Sequence, residues 1–146
     1  MKSTNIGNEI LNKTASRGKR FANYLIDFIF LMIFSIILGI IVGIVLAIMS
    51  PSSRSIFEQD NELINYLFGS IVGIIYYCVL EATTGKTIAK FITKTKVVNE
   101  EGEKPDFGTI LLRTLCRLIP FEPFSFLGSD NSGWHDKLSK TRVIEI

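Results

Sequence analysis

The apolar positions of this chain gather into two long runs instead of alternating with polar ones. Phe28 to Ser53 holds 26 consecutive residues without a formal charge, and Leu63 to Leu80 is a second uncharged run. A hydrocarbon layer ~30 Å thick is crossed by ~20 helical residues rising ~1.5 Å each. Phe28–Ile48 would extend about 31 Å and Leu63–Leu80 about 27 Å. Spans are therefore expected at about 22–49 and 63–81. A cleaved signal peptide fits poorly, because its apolar core is only ~7–15 residues long and Ser50-Pro51-Ser52-Ser53 is a poor cleavage site. A soluble pair of buried helices would need more surrounding chain than remains here. The pattern predicts an integral membrane protein.

After Leu80 the periodicity changes. Glu81-Ala82-Thr83-Thr84-Gly85 leaves the apolar layer, with Gly85 placed to cap a helix C-terminus. Thr93–Val98 alternates as a short strand does, and Thr141–Ile146 is its candidate partner. Gly102 and Pro105 mark a turn between them. Asp106 is placed to cap a helix over Phe107–Ile119, stopped by Pro120. At about 20 Å that helix is too short to span. Arg113 and Arg117, four apart, share one of its faces, which fits an interfacial or re-entrant helix. The alternative is a third span over Phe107–Leu127. The fold expected is an all-α membrane protein: two transmembrane helices, a cytoplasmic interfacial or re-entrant helix and a short two-stranded β element. Residues 1–16 are expected as a mobile cytoplasmic N-terminus. Residues 17–146 are expected as one membrane domain, with its cytoplasmic hairpin and helix in 85–146.

Net charge is only +2, so placement matters more than the total. Five of the sixteen Lys/Arg precede the first span, and one, Arg54, lies in the loop Pro51–Glu62 beside Glu58, Asp60 and Glu62. The positive-inside bias puts both termini in the cytoplasm and the acidic loop outside, in a multi-pass cell-membrane protein. The basic N-terminal run can touch anionic lipid. Nothing in the aromatic or motif pattern supports nucleic-acid binding. Cys78 and Cys116 read as small packing residues, with no disulfide expected.

Two charges stand where they are costly. Arg20 and Asp27, seven apart, share a helix face with Asn23 and Tyr24. They are separated by roughly 10 Å along the axis, and helical side chains lean toward the N-terminus, so Arg20 leans away from Asp27. An acid at mid-membrane costs about 2.5–3.5 kcal/mol on insertion scales, and less near the boundary. Each charge therefore needs a partner from elsewhere. Arg113 and Arg117 are the best protein partners for Asp27, with Lys86 behind them. A buried ion pair that clamps the short helix to the first span and a direct part in moving an ion or proton both remain open.

Other features carry less. Gly39-xxx-Gly43 and Gly69-xxx-Gly73 give each span a small-residue groove, suited to close helix contact within the chain or between copies. The "TGKT" step at Thr84–Thr87 is not a phosphate loop, because Leu80 stands where its first glycine would be. His135 beside Asp136 is placed to titrate near neutrality, but without a nucleophile nearby it reads as structural. No catalytic constellation, metal cluster or cofactor motif is present.

Arg20 before the first span, Asp27 within it and Asp136 in a late "HD" step resemble the RDD family of small bacterial integral membrane proteins, named for those three residues. The resemblance continues through "GKTIAK", "KVVNEEG", "LLRTLCR" and "HDKLSKTRVI", over about Arg17 to Ile144. Ala89 departs from it, since the family more often has glycine there. The resemblance implies a part in transport, with sodium–proton exchange proposed for some members. It also implies one cytoplasmic-side charge cluster of Arg20, Asp27, Arg113, Arg117 and Asp136. Asn23, Glu81, Lys86 and His135 are secondary candidates. The pairing expected is Arg20 with Asp136, and Asp27 with Arg113 or Arg117. Two spans cannot enclose a pathway, so transport of a small cation, proton or solute requires a homo-oligomer embedded in lipid. A non-catalytic scaffold whose charge cluster is structural is the alternative.

Overall fold

The computed structural model describes residues 7, 10–49, 62–127 and 132–146. The expected helix end at Ser50-Pro51 and the loop Pro51–Glu62, Glu62 apart, lie outside the described residues. Helix α1 covers Arg17–Met49 and helix α2 covers Glu62–Thr84, and both are long and apolar enough to cross a membrane. At about 50 Å, α1 exceeds a ~30 Å hydrocarbon layer, so roughly its first ten residues can stand outside it.

The sides of α1 are inverted relative to a soluble helix. Its buried residues are all polar, Arg20, Asn23 and Asp27, in one stripe spaced three and four apart. Its aliphatic residues face outward: Ile36, Ile40, Ile44 and Ile48 are each more than half exposed. Water would penalise this arrangement, whereas hydrocarbon favours it.

Glutamate-to-glycine geometry ends α2. The Gly85 amide donates to the Glu81 carbonyl at 2.9 Å, and Gly85 takes φ +71°, which a β-carbon disfavours. The Gly85 carbonyl then accepts from the Val97 amide at 3.0 Å, tying the span end to the following hairpin. Helix α3 is Ile88–Ile92, N-capped by Thr87, and strand β1 is Thr95–Asn99. A turn at Gly102 leads to helix α4, Phe107–Cys116, where the Asp106 carboxylate accepts from the Thr109 amide. A 3-10 turn (Glu122–Leu127), helix α5 (Trp134–Leu138) and strand β2 (Thr141–Glu145) complete the chain.

The two strands form an antiparallel ribbon with Val97 opposite Val143 and Lys96 opposite Ile144. Each face of the ribbon has a small core. Ala15, Val97 and Val143 pack on one, and Ile10, Val98 and Ile144 on the other. The Ala15 amide donates to the Val143 carbonyl at 2.9 Å, and the Glu145 amide to the Lys13 carbonyl at 2.8 Å. Residues 10–15, within the segment expected as a mobile N-terminus, therefore pack along the ribbon.

Three expectations are corrected. Helix α4 ends at Cys116, not Ile119, and its ten residues reach about 15 Å. The chain from Arg117 to Leu127 turns, with Phe121 at φ +66°, so no third span exists over Phe107–Leu127. The glycine grooves do not bring the spans together either: a β-carbon at Gly39, Gly43, Gly69 or Gly73 would meet nothing within 4 Å.

Candidate functional site

The polar stripe of α1 faces the end of α2, α3, α4 and α5, and together they enclose a network of buried charges. Asp136 on α5 sits at its centre and is fully buried. It takes the guanidinium of Arg20 on one oxygen and that of Arg113 on the other, and accepts from the Gly133 amide at 3.2 Å. The expected Arg20–Asp136 pair is present. Glu81, also fully buried, is a second centre. Its Oε1 receives Lys90 Nζ and Arg117 Nη2, each at 2.9 Å, and Arg113 Nε lies 3.3 Å from Oε2. Arg113 thus bridges the two carboxylates, and its Nη1 also donates to Thr141 Oγ1 at 2.6 Å. Arg117 in addition stacks over the Tyr77 ring, 3.8 Å from its centre.

Asp27 does not meet an arginine, contrary to the expected pairing. It is 2% exposed and is held by uncharged donors. Tyr76 Oη donates to Oδ1 at 2.8 Å, the Ala89 amide to Oδ1 at 3.2 Å and Thr87 Oγ1 to Oδ2 at 2.7 Å. Among the described residues no basic group forms an ion pair with it. Both arginines instead take Glu81, which the end of α2 presents to α4. Ala89, the departure from the family pattern, has its methyl fully buried and still supplies its amide to Asp27.

Asn23 is in the network as a fastener. Its Nδ2 donates to Thr95 Oγ1 at 3.1 Å and its Oδ1 accepts from Thr93 Oγ1 at 2.6 Å, joining α1 to β1. Lys86 is not in the network: its ammonium lies 5.2 Å from the centre of the Phe91 ring, and the lysine that turns inward is Lys90. Sequence reasoning missed Lys90, Thr87, Tyr76 and Glu122. The first two lie in the quoted "GKTIAK", so that motif held the signal.

His135 joins the edge of the network, with Nδ1 against Glu122 Oε1 and Nε2 3.4 Å from Asp136 Oδ1. Burial, aided by Arg113 and Arg117, outweighs the pull of both carboxylates and lowers the imidazole to about 4. It is neutral at pH 7 and does not titrate near neutrality. Burial alone would raise the Asp136 carboxyl, but Arg113, His135 and Arg20 hold it well below the usual range. Burial also opposes the shift at Glu122, which the hydrogen bond and charge of His135 bring down. Burial opposes ionisation of Arg117 too, and Glu81 and Tyr77 more than offset it.

The three shifts at His135, Asp136 and Glu122 have one sign. A group whose folded pKa is depressed takes its proton more readily when unfolded, so acid favours unfolding. Stability is expected to fall as pH drops from about 6.5 toward 4 through His135, and further below about 4 through the carboxylates. Thermal melts of detergent-solubilised protein from pH 8 to 4 check this. His135→Gln should flatten the limb between pH 6.5 and 4, and an unchanged limb would contradict a buried neutral imidazole.

A cleft of about 400 Å³ opens between α1 and α2 above the network. Its walls include Phe28, Leu31, Gly69, Gly73 and Ile74, and Arg20, Asp27, Lys90, Arg113 and Arg117 line its charged end. Gly69 and Gly73 widen it instead of closing it. Among the described residues no group of His, Cys, Asp and Glu is arranged to hold a metal ion.

Comparison with known proteins gave no match among curated proteins or solved structures. The sequence profile of the RDD family matches residues 14–140, a stretch that contains Arg20, Asp27 and Asp136 together with Glu81, Lys90, Arg113, Arg117, Glu122 and His135. With two helices able to span a membrane and that match over most of its length, the chain is a membrane protein and belongs to the RDD family.

Proposed function

We propose that this protein moves a small cation, proton or solute across the cell membrane, without catalysis, as a homo-oligomer with both termini in the cytoplasm. The observation that carries the reading is Asp27. It lies in the wall of the cleft between the spans, and hydroxyls and one amide hold its carboxylate where an ion pair would otherwise lock it. A proton or cation could exchange there without breaking the Glu81 and Asp136 pairs, which would act as the rigid frame. The orientation follows from the bias of Lys and Arg toward the segments outside the short loop. The exposed faces of Leu112, Leu115, Phe121 and Phe124 suit an interfacial seat for α4 and the turn after it. The oligomer is required because two helices cannot surround a pathway.

The second reading, a scaffold, is favoured by the completeness of the frame: Glu81 and Asp136 are each shared by at least two cations. Proteoliposomes carrying Na⁺, K⁺ or proton gradients separate the two. Asp27→Asn can still accept from Tyr76 and Ala89, so it is expected to fold, with a loss of about 1–3 kcal/mol at most. Flux through the wild type and at least a tenfold loss in folded Asp27→Asn is the expected result. Absence of any wild-type flux, with Asp27→Asn changing only stability, would leave the scaffold.

A further inference from the structure

Among the buried side-chain atoms of the described residues without a hydrogen-bond partner, arginine nitrogens outnumber oxygens: the one oxygen, Glu81 Oε2, lies 3.3 Å from Arg113 Nε, itself among those nitrogens. Arg20, Arg113 and Arg117 line the charged end of the cleft, and each retains a buried N–H without a partner among the described residues: Nε of Arg20, Nη2 of Arg113 and Nη1 of Arg117. Arg113 is fully buried and Arg20 nearly so. Glu81 and Asp136, the counter-charges of this group, do not line the cleft. The two carboxylates that do, Asp27 and Glu122, already accept from Tyr76, Thr87 and Ala89 and from Ser125 and His135. Unused donors in a buried place cost free energy unless an acceptor meets them. Three guanidinium groups gathered around two shared carboxylates form a fork suited to a phosphoryl group.

The rest of the cleft is apolar. Phe28, Leu31, Gly69, Gly73, Ile74 and Leu118 line it. Its volume of about 400 Å³ equals roughly a dozen waters, room for a phosphoryl group and several methylenes. A free anion would fill the guanidinium end and leave the apolar walls uncovered, whereas a lipid with an anionic headgroup satisfies both. We propose that the cleft between α1 and α2 binds one anionic phospholipid, its phosphate on Arg20, Arg113 and Arg117 and an acyl chain along the glycine-lined wall of α2. This goes beyond the transport reading and does not depend on it. Cytoplasmic-leaflet lipids of this charge are available to the end of the spans where the basic residues lie.

Two variants test the two halves of the site. Gly73→Leu fills the cleft: a β-carbon there meets nothing within 4 Å, and leucine is the better helix former, so folding is expected to hold. Arg117→Gln removes one donor of the fork while Lys90 and Arg113 remain on Glu81. Full-length protein is purified, exchanged through excess detergent and analysed by native mass spectrometry with phosphatidylglycerol, phosphatidylcholine or inorganic phosphate added. The wild type is expected to retain one phosphatidylglycerol with at least tenfold preference over phosphatidylcholine. Gly73→Leu should lose the lipid, and Arg117→Gln should lose most of the preference. Equal retention of the two lipids, or lipid retention by folded Gly73→Leu, would overturn the proposal. Competition by inorganic phosphate at millimolar concentration would show that the source is a free anion, and a dimer crosslinked through position 73 would show a second copy in the cleft. Either overturns the lipid assignment.

Discussion

Glu81→Ala is expected to prevent residues 85–146 from holding together against the spans. Glu81 is fully buried and is the common counter-charge of Lys90, Arg113 and Arg117, which come from α3, from α4 and from the turn that follows α4. Removing one partner of a buried ion pair costs about 3–5 kcal/mol, because the other charge is left desolvated and unpaired. Here Lys90 and Arg117 lose their counter-charge and Arg113 keeps only Asp136, so the loss should reach the upper end of that range. Typical domains have only about 5–15 kcal/mol in total. Glu81→Gln keeps the shape and two acceptor lone pairs and should fall between the two. Exposure of Cys116, which is buried beside Arg117, gives a local readout. Its alkylation should accelerate sharply in Glu81→Ala and moderately in Glu81→Gln. A Glu81→Ala chain that melts and alkylates like the wild type would remove Glu81 from the frame.

What the sequence made legible follows from what is local. The stripe of Arg20, Asn23 and Asp27 is readable because helix geometry fixes which residues share a face three, four and seven apart. The two spans are readable because a run without charge has few other homes. The strands and the Asp106 cap are readable for the same local reason, to within two residues. Partner choice is not local. Asp27 and Glu81 both stand near the same boundary, and arginines four apart could reach either. The end of α2 decides it, by carrying Glu81 to α4 while α3 folds its Thr87 hydroxyl and Ala89 amide over Asp27. Hydroxyls are common enough that no spacing marks Tyr76 or Thr87 as partners in advance. The choice of Lys90 over Lys86 depends on where α3 begins. With Thr87 as N-cap, Lys90 falls on the inner side of the single turn, and Lys86 precedes it.

Asp136 allows the frame to be tested from its other end. Asp136→Ala leaves Arg20 without its counter-charge and Arg113 with Glu81 alone, and the expected loss is again about 3–5 kcal/mol. Asp136→Asn should not rescue it, since an amide can offer one oxygen to two guanidinium groups and turns its own N–H groups on the other. The coupling is the sharper test. Arg20 forms its ion pair with Asp136, so once Asp136 is gone, Arg20→Ala should cost little more and could recover stability by removing a buried unpaired charge. Melts of the two single variants and the double variant should therefore be non-additive by more than about 1 kcal/mol. The same pair has an acid signature. The Asp136 carboxyl is held well below its ordinary value, so its contribution is present above about pH 4 and drains away as pH falls toward that lower value. Asp136→Ala should lose this drop below pH 4 while keeping the His135 limb above it. Additive melts, or an unchanged acid limb, would mean that the aspartate closing the RDD triad does not hold α1 to α4.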